Sequence, residues 1–155
     1  MSRSARNRRI AVRGVEPGCA RPHLGGCVPV LSTPPQIVAR RIRDLAARVV
    51  ELSGEHDVST ASELAGALAV AVASGDAVIV DLRRATFADS AILGAIVRAN
   101  RNAQRCCFAV VMPPPGEVSR LFDLVAARSV LLTFPTMRLA VKWCYPALEN
   151  HHEAI

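Results

Sequence analysis

The 155-residue sequence has few aromatic side chains and no long apolar run. Aromatic residues make up 4% of the chain. The longest apolar candidate, residues 64–73, contains Gly66 and falls well short of the ~20 residues that cross a bilayer. The arginine-rich start also lacks the apolar core of a signal peptide. We therefore expect a soluble, cytoplasmic protein that makes no membrane contact.

Signatures of common enzymes and metal sites are missing as well. The sequence has no glycine-rich nucleotide loop, no G-x-S-x-G nucleophile motif and no H-x-x-x-H pair. Cys19, His23 and Cys27 have a spacing that is not a standard zinc finger, and no fourth ligand follows nearby. The five cysteines do not form a disulfide pattern, and Cys106 and Cys107 are predicted to be packed thiols. We predict no metal, no cofactor and no enzymatic activity.

Positive charge is concentrated in the first third of the chain. The formal charge of +6 divides into +8 for residues 1–48 and −2 for residues 49–155. Residues 1–35 are rich in arginine, glycine and proline without a sustained apolar period, which is typical of a disordered tail. This tail has no aromatic residue on which a base could stack. Contact with nucleic acid is therefore expected through the tail or not at all.

Residues 36–146 alternate short apolar strands with helices and are predicted to form one α/β domain, followed by a tail at 147–155. The prediction is a mixed sheet of five strands with an antiparallel start, flanked by four helices. A turn is expected at residues 83–86, after a strand buried on both faces. The predicted strands are 37–42, 48–53, 77–82, 107–112 and 130–134. The predicted helices are 61–73, 91–104, 117–125 and 136–144.

The second predicted helix has two contrasting faces. Its apolar face carries Ile92, Ile96, Ala99 and Ala103. Its polar face carries Ser90, Gly94, Arg98, Arg101 and Arg105. Three arginines without an acidic neighbour fit either a solvated face or a surface for an acidic partner. Asp89 and Ser90 are good N-cap residues, and the Asp89 carboxylate weighs against a phosphate at this helix end.

Three segments, residues 49–64, 77–97 and 119–125, resemble the STAS domain, the family of bacterial anti-sigma factor antagonists. The resemblance depends on G-E-H-D at 54–57, F-A-D-S at 87–90 and R-L-F-D-L at 120–124. It covers about residues 36–144 and implies the same mixed sheet flanked by helices. It also implies partner switching, in which the domain binds an anti-sigma factor that is a serine kinase and is released when phosphorylated.

The main departure from the family pattern lies at the phosphoacceptor. The family has D-S-[ST], and this chain has Ala91 at the usual acceptor position. Three interpretations stay open: an antagonist that this route cannot switch off, a STAS module with another protein partner or small ligand, and an antagonist phosphorylated on Ser90. A homodimer is also left open. The residues expected to contact the partner are Asp57, Asp89, Ser90, Ala91, Gly94, Arg98 and Arg101.

Overall fold

The computed structural model describes residues 34–145. Most of the predicted tail 1–35, the Cys19–His23–Cys27 group and the tail 147–155 lie outside the described residues. The strands are β1 (Gln36–Ile42), β2 (Ala47–His56), β3 (Ala77–Ala88), β4 (Phe108–Val111) and β5 (Thr133–Phe134). The helices are α1 (Val58–Ala73), α2 (Ser90–Asn102), α3 (Glu117–Leu124) and α4 (Met137–Cys144). Within residues 34–145, no helix has the length and apolar character needed to cross a membrane.

The five strands form one mixed sheet in the order β1-β2-β3-β4-β5. β1 runs antiparallel to β2, with Gln36 opposite Ser53 and Ile42 opposite Ala47. The remaining neighbours are parallel, so each needs a crossover helix. This architecture confirms the predicted α/β class and its antiparallel start.

The helices cover the two faces of the sheet unequally. α1, α2 and α3 contribute to one large apolar core against one face, which includes Leu52, Val80 and Phe122. α4 packs on the other face through Ala140, against Val49 and other small apolar residues. The β-branched run of β3 is buried on both faces because α1, α2 and α3 cover one face of the sheet and α4 covers the other.

One predicted boundary is wrong in a way that matters for the site. The turn expected at residues 83–86 does not exist, since β3 continues to Ala88. β2 also runs on to His56, so it offers a hydrogen-bonding partner to the extra residues. Two register shifts interrupt this pairing, between Glu51 and Ser53 and between Gly54 and Glu55. The fifth strand is shorter than predicted, because the chain is still turning at residues 130 and 131 after the 3-10 turn at Ala127–Ser129.

The prediction for the cysteines needs a correction. Cys107 is not a free thiol, because it forms a disulfide with Cys144. The two Cα atoms lie 5.6 Å apart although the residues are 37 positions apart in sequence. The fold brings the start of β4 to the end of α4, which sequence spacing does not reveal. Cys106 is free, as predicted, and burial raises the pKa of its thiol.

Candidate functional site

Helix α2 begins at a side-chain cap. The Asp89 carboxylate accepts hydrogen bonds from the backbone N–H groups of Ala91 (2.9 Å) and Ile92 (3.0 Å). Ser90 is exposed and Ala91 is half-buried. Asp89 therefore satisfies two of the free amides at this helix end and places its own negative charge where an anion would otherwise bind.

Helix α1 begins in the same way at Asp57. Its carboxylate accepts hydrogen bonds from the backbone N–H of Ser59, at 2.9 Å, and from the Ser59 hydroxyl. These bonds, the hydroxyl first, lower the pKa of Asp57. Asp57 is thus an exposed, charged cap. Ser59 and Thr60 are also residue types that favour an N-cap, but both lie inside the helix.

The fold places the two acidic caps at one edge of the sheet. His56 and Ala88 are direct partners on neighbouring parallel strands, and Asp57 and Asp89 follow them. The backbone N–H of Asp89 also donates to the His56 carbonyl, at 3.2 Å. Gly54 has φ +84°, a conformation that suits glycine, at the second register shift of the pair. The structure therefore brings together the G-E-H-D and F-A-D-S motifs, which are 33 positions apart.

His56 is a buried polar residue between these caps, with no exposed surface. Its Nε2 lies 3.0 Å from the Ser53 carbonyl oxygen, which can only accept, so Nε2 carries the proton. Its Nδ1 lies 3.3 Å from the Thr60 hydroxyl. Burial lowers the pKa of His56, and the Ser53 carbonyl and the nearby carboxylates oppose this effect only in part. The sequence showed His56 as part of G-E-H-D but not that its side chain is buried between Ser53 and Thr60.

We expect the domain to lose stability as the pH falls below about 6.5, the ordinary pKa of histidine. Because the folded pKa is lower, the unfolded chain binds a proton first, and acid favours unfolding. Urea unfolding at about pH 7.5 and about pH 5.5 measures the difference. A His56→Gln variant should show a smaller change between the two. Equal pH dependence in both proteins would contradict this role for His56.

The two faces of α2 are arranged as predicted. The apolar face (Ile92, Ile96, Ala99 and Ala103) is buried in the core. The polar face is exposed at Ser90, Arg98 and Arg101 and half-buried at Gly94. Arg105, predicted on the same face, is exposed in the turn after α2, because the helix ends at Asn102.

Among the described residues, the arginines of α2 and of the turn after it have no acidic partner. Arg98, Arg101 and Arg105 form no ion pair with any residue in the range 34–145. A Cβ at Gly94 would lie 3.3 Å from Nη1 of Arg98, so the Arg98 side chain lies back along the helix towards Gly94. The positive charge of the face is uncompensated by its own surroundings.

Two exposed apolar side chains accompany the acidic caps, and sequence reasoning missed both. Val58, the first residue of α1, is 71% exposed, and Phe87, near the end of β3, is 39% exposed. Each is the immediate or near neighbour of a cap, Asp57 or Asp89. Protein–protein interfaces typically have an apolar centre enriched in aromatic residues and a polar rim. The sequence feature that could have revealed Phe87 is its place in the F-A-D-S motif, directly before the cap, where its side chain does not enter the core.

The geometry agrees with a known domain family. The family described as "Mlab, STAS domain" matches residues 40–132 of the chain. The chain belongs to the STAS domain family. A search of curated proteins found no match to this STAS domain.

Solved structures similar to this STAS domain include several anti-sigma factor antagonists. One, from Mycobacterium paratuberculosis, is 25% identical with a TM-score of 0.67, over 74% of this chain and 98% of that one. A putative antagonist from Thermotoga maritima is 14% identical with a TM-score of 0.57, over 70% and 93%. SpoIIAA in its unphosphorylated form is 15% identical with a TM-score of 0.53, over 76% and 99%. The latter two share the fold.

Proposed function

We propose that this STAS domain is a cytoplasmic anti-sigma factor antagonist that binds an anti-sigma factor of the serine kinase type. The observation that carries the proposal is the surface formed by the capped start of α2 and its arginine face. It presents Asp89, Ser90 and Ala91 at the helix end and Arg98 and Arg101 farther along. The antagonist from Mycobacterium paratuberculosis supports the role, since the two chains align over almost its whole length. The domain acts by binding and is not an enzyme.

The charges of the surface define the partner. Asp57 and Asp89 place two carboxylates at one edge of the sheet. Arg98 and Arg101 follow along α2 and have no ion-pair partner among residues 34–145. A partner therefore needs basic groups opposite the caps and acidic groups opposite the arginines, around an apolar contact with Val58 and Phe87. Such complementarity favours specificity and fast association.

Ala91 determines how the complex is controlled. It has no hydroxyl, so the position at which the family is phosphorylated cannot accept a phosphoryl group. We propose that ATP does not release this antagonist from its kinase by that route. Ser90 has an exposed hydroxyl, and phosphorylation there is the outcome that would replace this proposal.

Reversing charge on the arginine face is expected to weaken partner binding. An Arg98→Glu/Arg101→Glu variant should raise the dissociation constant at least about tenfold, because it sets acidic groups against the partner's acidic groups. The matched control is Arg120→Glu/Arg138→Glu, which changes net charge equally on α3 and α4. Calorimetric titration with the partner measures both. Equal weakening in the two variants would show that only net charge matters.

The proposal as a whole is tested by binding to the anti-sigma factor kinases of the same cell. The natural chain is mixed with each purified kinase, with and without ATP and magnesium, and complexes are separated by size-exclusion chromatography. We expect one kinase to form a complex that survives ATP. Failure to bind any of these kinases would reject the antagonist role and leave a STAS module with another partner. Release by ATP together with a phosphoryl group on Ser90 would reject the unswitched form.

A further inference from the structure

We propose that a crevice at the carboxyl ends of β4 and β5, beside Arg83 in the middle of β3, binds a small phosphomonoester with an apolar body. The crevice has a volume of about 470 Å³, within the range of small-molecule sites. Met112 and Phe134, at the carboxyl ends of β4 and β5, form part of its lining. Its polar lining comes from Arg83, Ser119, Arg128 and Thr133. No carboxylate lines it.

The two arginines are held in place and keep donors for a ligand. Arg83 binds Asp81 through Nε (3.0 Å) and Nη2 (2.7 Å), which leaves its Nη1. Arg128 binds Asp123 through Nε and the Ser119 hydroxyl oxygen through Nη2, at 3.0 Å, which leaves its Nη1 as well. The aspartates fix the guanidinium planes without lining the crevice themselves. A guanidinium fixed in this way loses little conformational entropy when it binds an oxyanion.

Ser119, on α3, adds a buried hydroxyl donor to the crevice. Only 9% of this residue is exposed. Its oxygen accepts the hydrogen bond from Arg128, and its hydroxyl proton remains to be donated. A phosphate oxygen accepts from both hydroxyl and guanidinium groups, so one phosphate fits all of these donors.

Apolar side chains form the rest of the crevice. The loop 113–115 supplies three prolines, and Met112 and Phe134 flank it from the ends of β4 and β5. Prolines have fixed backbone angles, so this wall is rigid. The combination favours a ligand with one phosphate and a flat or compact apolar part over a free inorganic ion.

The crevice is separate from the proposed partner surface. None of its lining residues belongs to α2 or to the two acidic caps. The inference therefore does not depend on the antagonist role, and either can fail alone.

Phenyl phosphate is a suitable probe, with phenol as its uncharged counterpart. Titration of the natural full-length chain should give a dissociation constant below about 1 mM for phenyl phosphate, and no saturable binding for phenol. Arg128→Gln should weaken phenyl phosphate binding at least about tenfold. Pro114→Glu, an exposed loop change that adds a carboxylate at the crevice, should weaken it similarly. The matched control is Arg98→Gln on α2, which should bind as the natural chain does.

Three results would overturn the proposal. One is the absence of saturable phenyl phosphate binding by the natural chain. Another is equal binding of phenol, which would show an apolar site only. The third is equal loss of affinity in Arg98→Gln and Arg128→Gln, which would show attraction to net charge. If Arg128→Gln does not fold, Pro114→Glu decides alone, because its side chain lies in an exposed loop.

Discussion

An Ala91→Ser variant is expected to accept one phosphoryl group from the partner kinase, whereas the natural chain accepts none. The added hydroxyl would lie in the first turn of α2, at a helix end that stabilises negative charge. A phosphoryl group at residue 91 would also lie beside the Asp89 carboxylate and close to Asp57, and it carries nearly two negative charges. We expect its repulsion of an interface built around these caps to release the kinase.

Intact mass after incubation with kinase and ATP measures the modification, and size-exclusion chromatography measures the release. Ser90→Ala/Ala91→Ser should be modified to the same extent as the single variant, and Ser90→Ala alone should stay unmodified. If the natural chain is modified and Ser90→Ala is not, Ser90 is the acceptor and the proposed control is wrong. If Ala91→Ser binds the kinase and stays unmodified, the family's acceptor position has no such role here.

An Arg83→Met variant is expected to lose about 2 kcal/mol or more of its free energy of unfolding, because a buried acceptor loses its charged donor. The Asp81 side chain is 3% exposed, whereas that of Arg83 is 45% exposed. Arg83 supplies its backbone N–H and two guanidinium nitrogens to this carboxylate. Methionine keeps only the backbone donor and leaves a buried charge without its counter-ion. The pair also stabilises the charged form of the guanidinium, since hydrogen bonding to Asp81 raises the pKa of Arg83.

The shift in the urea midpoint at an unchanged slope measures this loss. The matched control is Arg84→Met, the next residue, whose side chain is 75% exposed and pairs with Glu51 at 3.3 Å. A surface pair of this kind contributes at most about 1 kcal/mol. Asp81→Asn should cost less than Arg83→Met, because the remaining guanidinium reaches water. Equal losses in Arg83→Met and Arg84→Met would contradict the importance of the buried carboxylate.

The elements of the fold that sequence could predict are those with a strong local period. The apolar run Ala77–Leu82 predicts the buried part of β3. Apolar residues that recur every three or four positions predict α2 and its buried face. The cap Asp89 and the exposed arginines follow from the same helix, so this part of the candidate site could be placed before the structure was known. The alternation of short apolar strands with helices gave the element order, and the resemblance to STAS domains implies the same order.

The parts that sequence could not predict depend on contacts between distant segments. β3 extends beyond Arg83 only because β2 offers it a partner, and no local pattern near residues 83–88 shows that. The disulfide of Cys107 and Cys144 forms because the packing of the fold brings these two residues together, although they are 37 positions apart in sequence. The proposed phosphate crevice draws its polar groups from four separate segments. His56 gains its burial and its lowered pKa from the same kind of tertiary assembly.

The strand order of the sheet also has a consequence for how the chain folds. Every pair of neighbouring strands is consecutive in sequence, so no strand waits for a distant segment before it can pair. This order keeps the sequence separation of paired strands lower than an order that pairs strands distant in the chain, which favours faster folding. During synthesis the sheet can grow strand by strand from β1 to β5, with each crossover helix closing over the pair just formed. α4 is the final described helix to emerge, so the second face of the sheet is covered last.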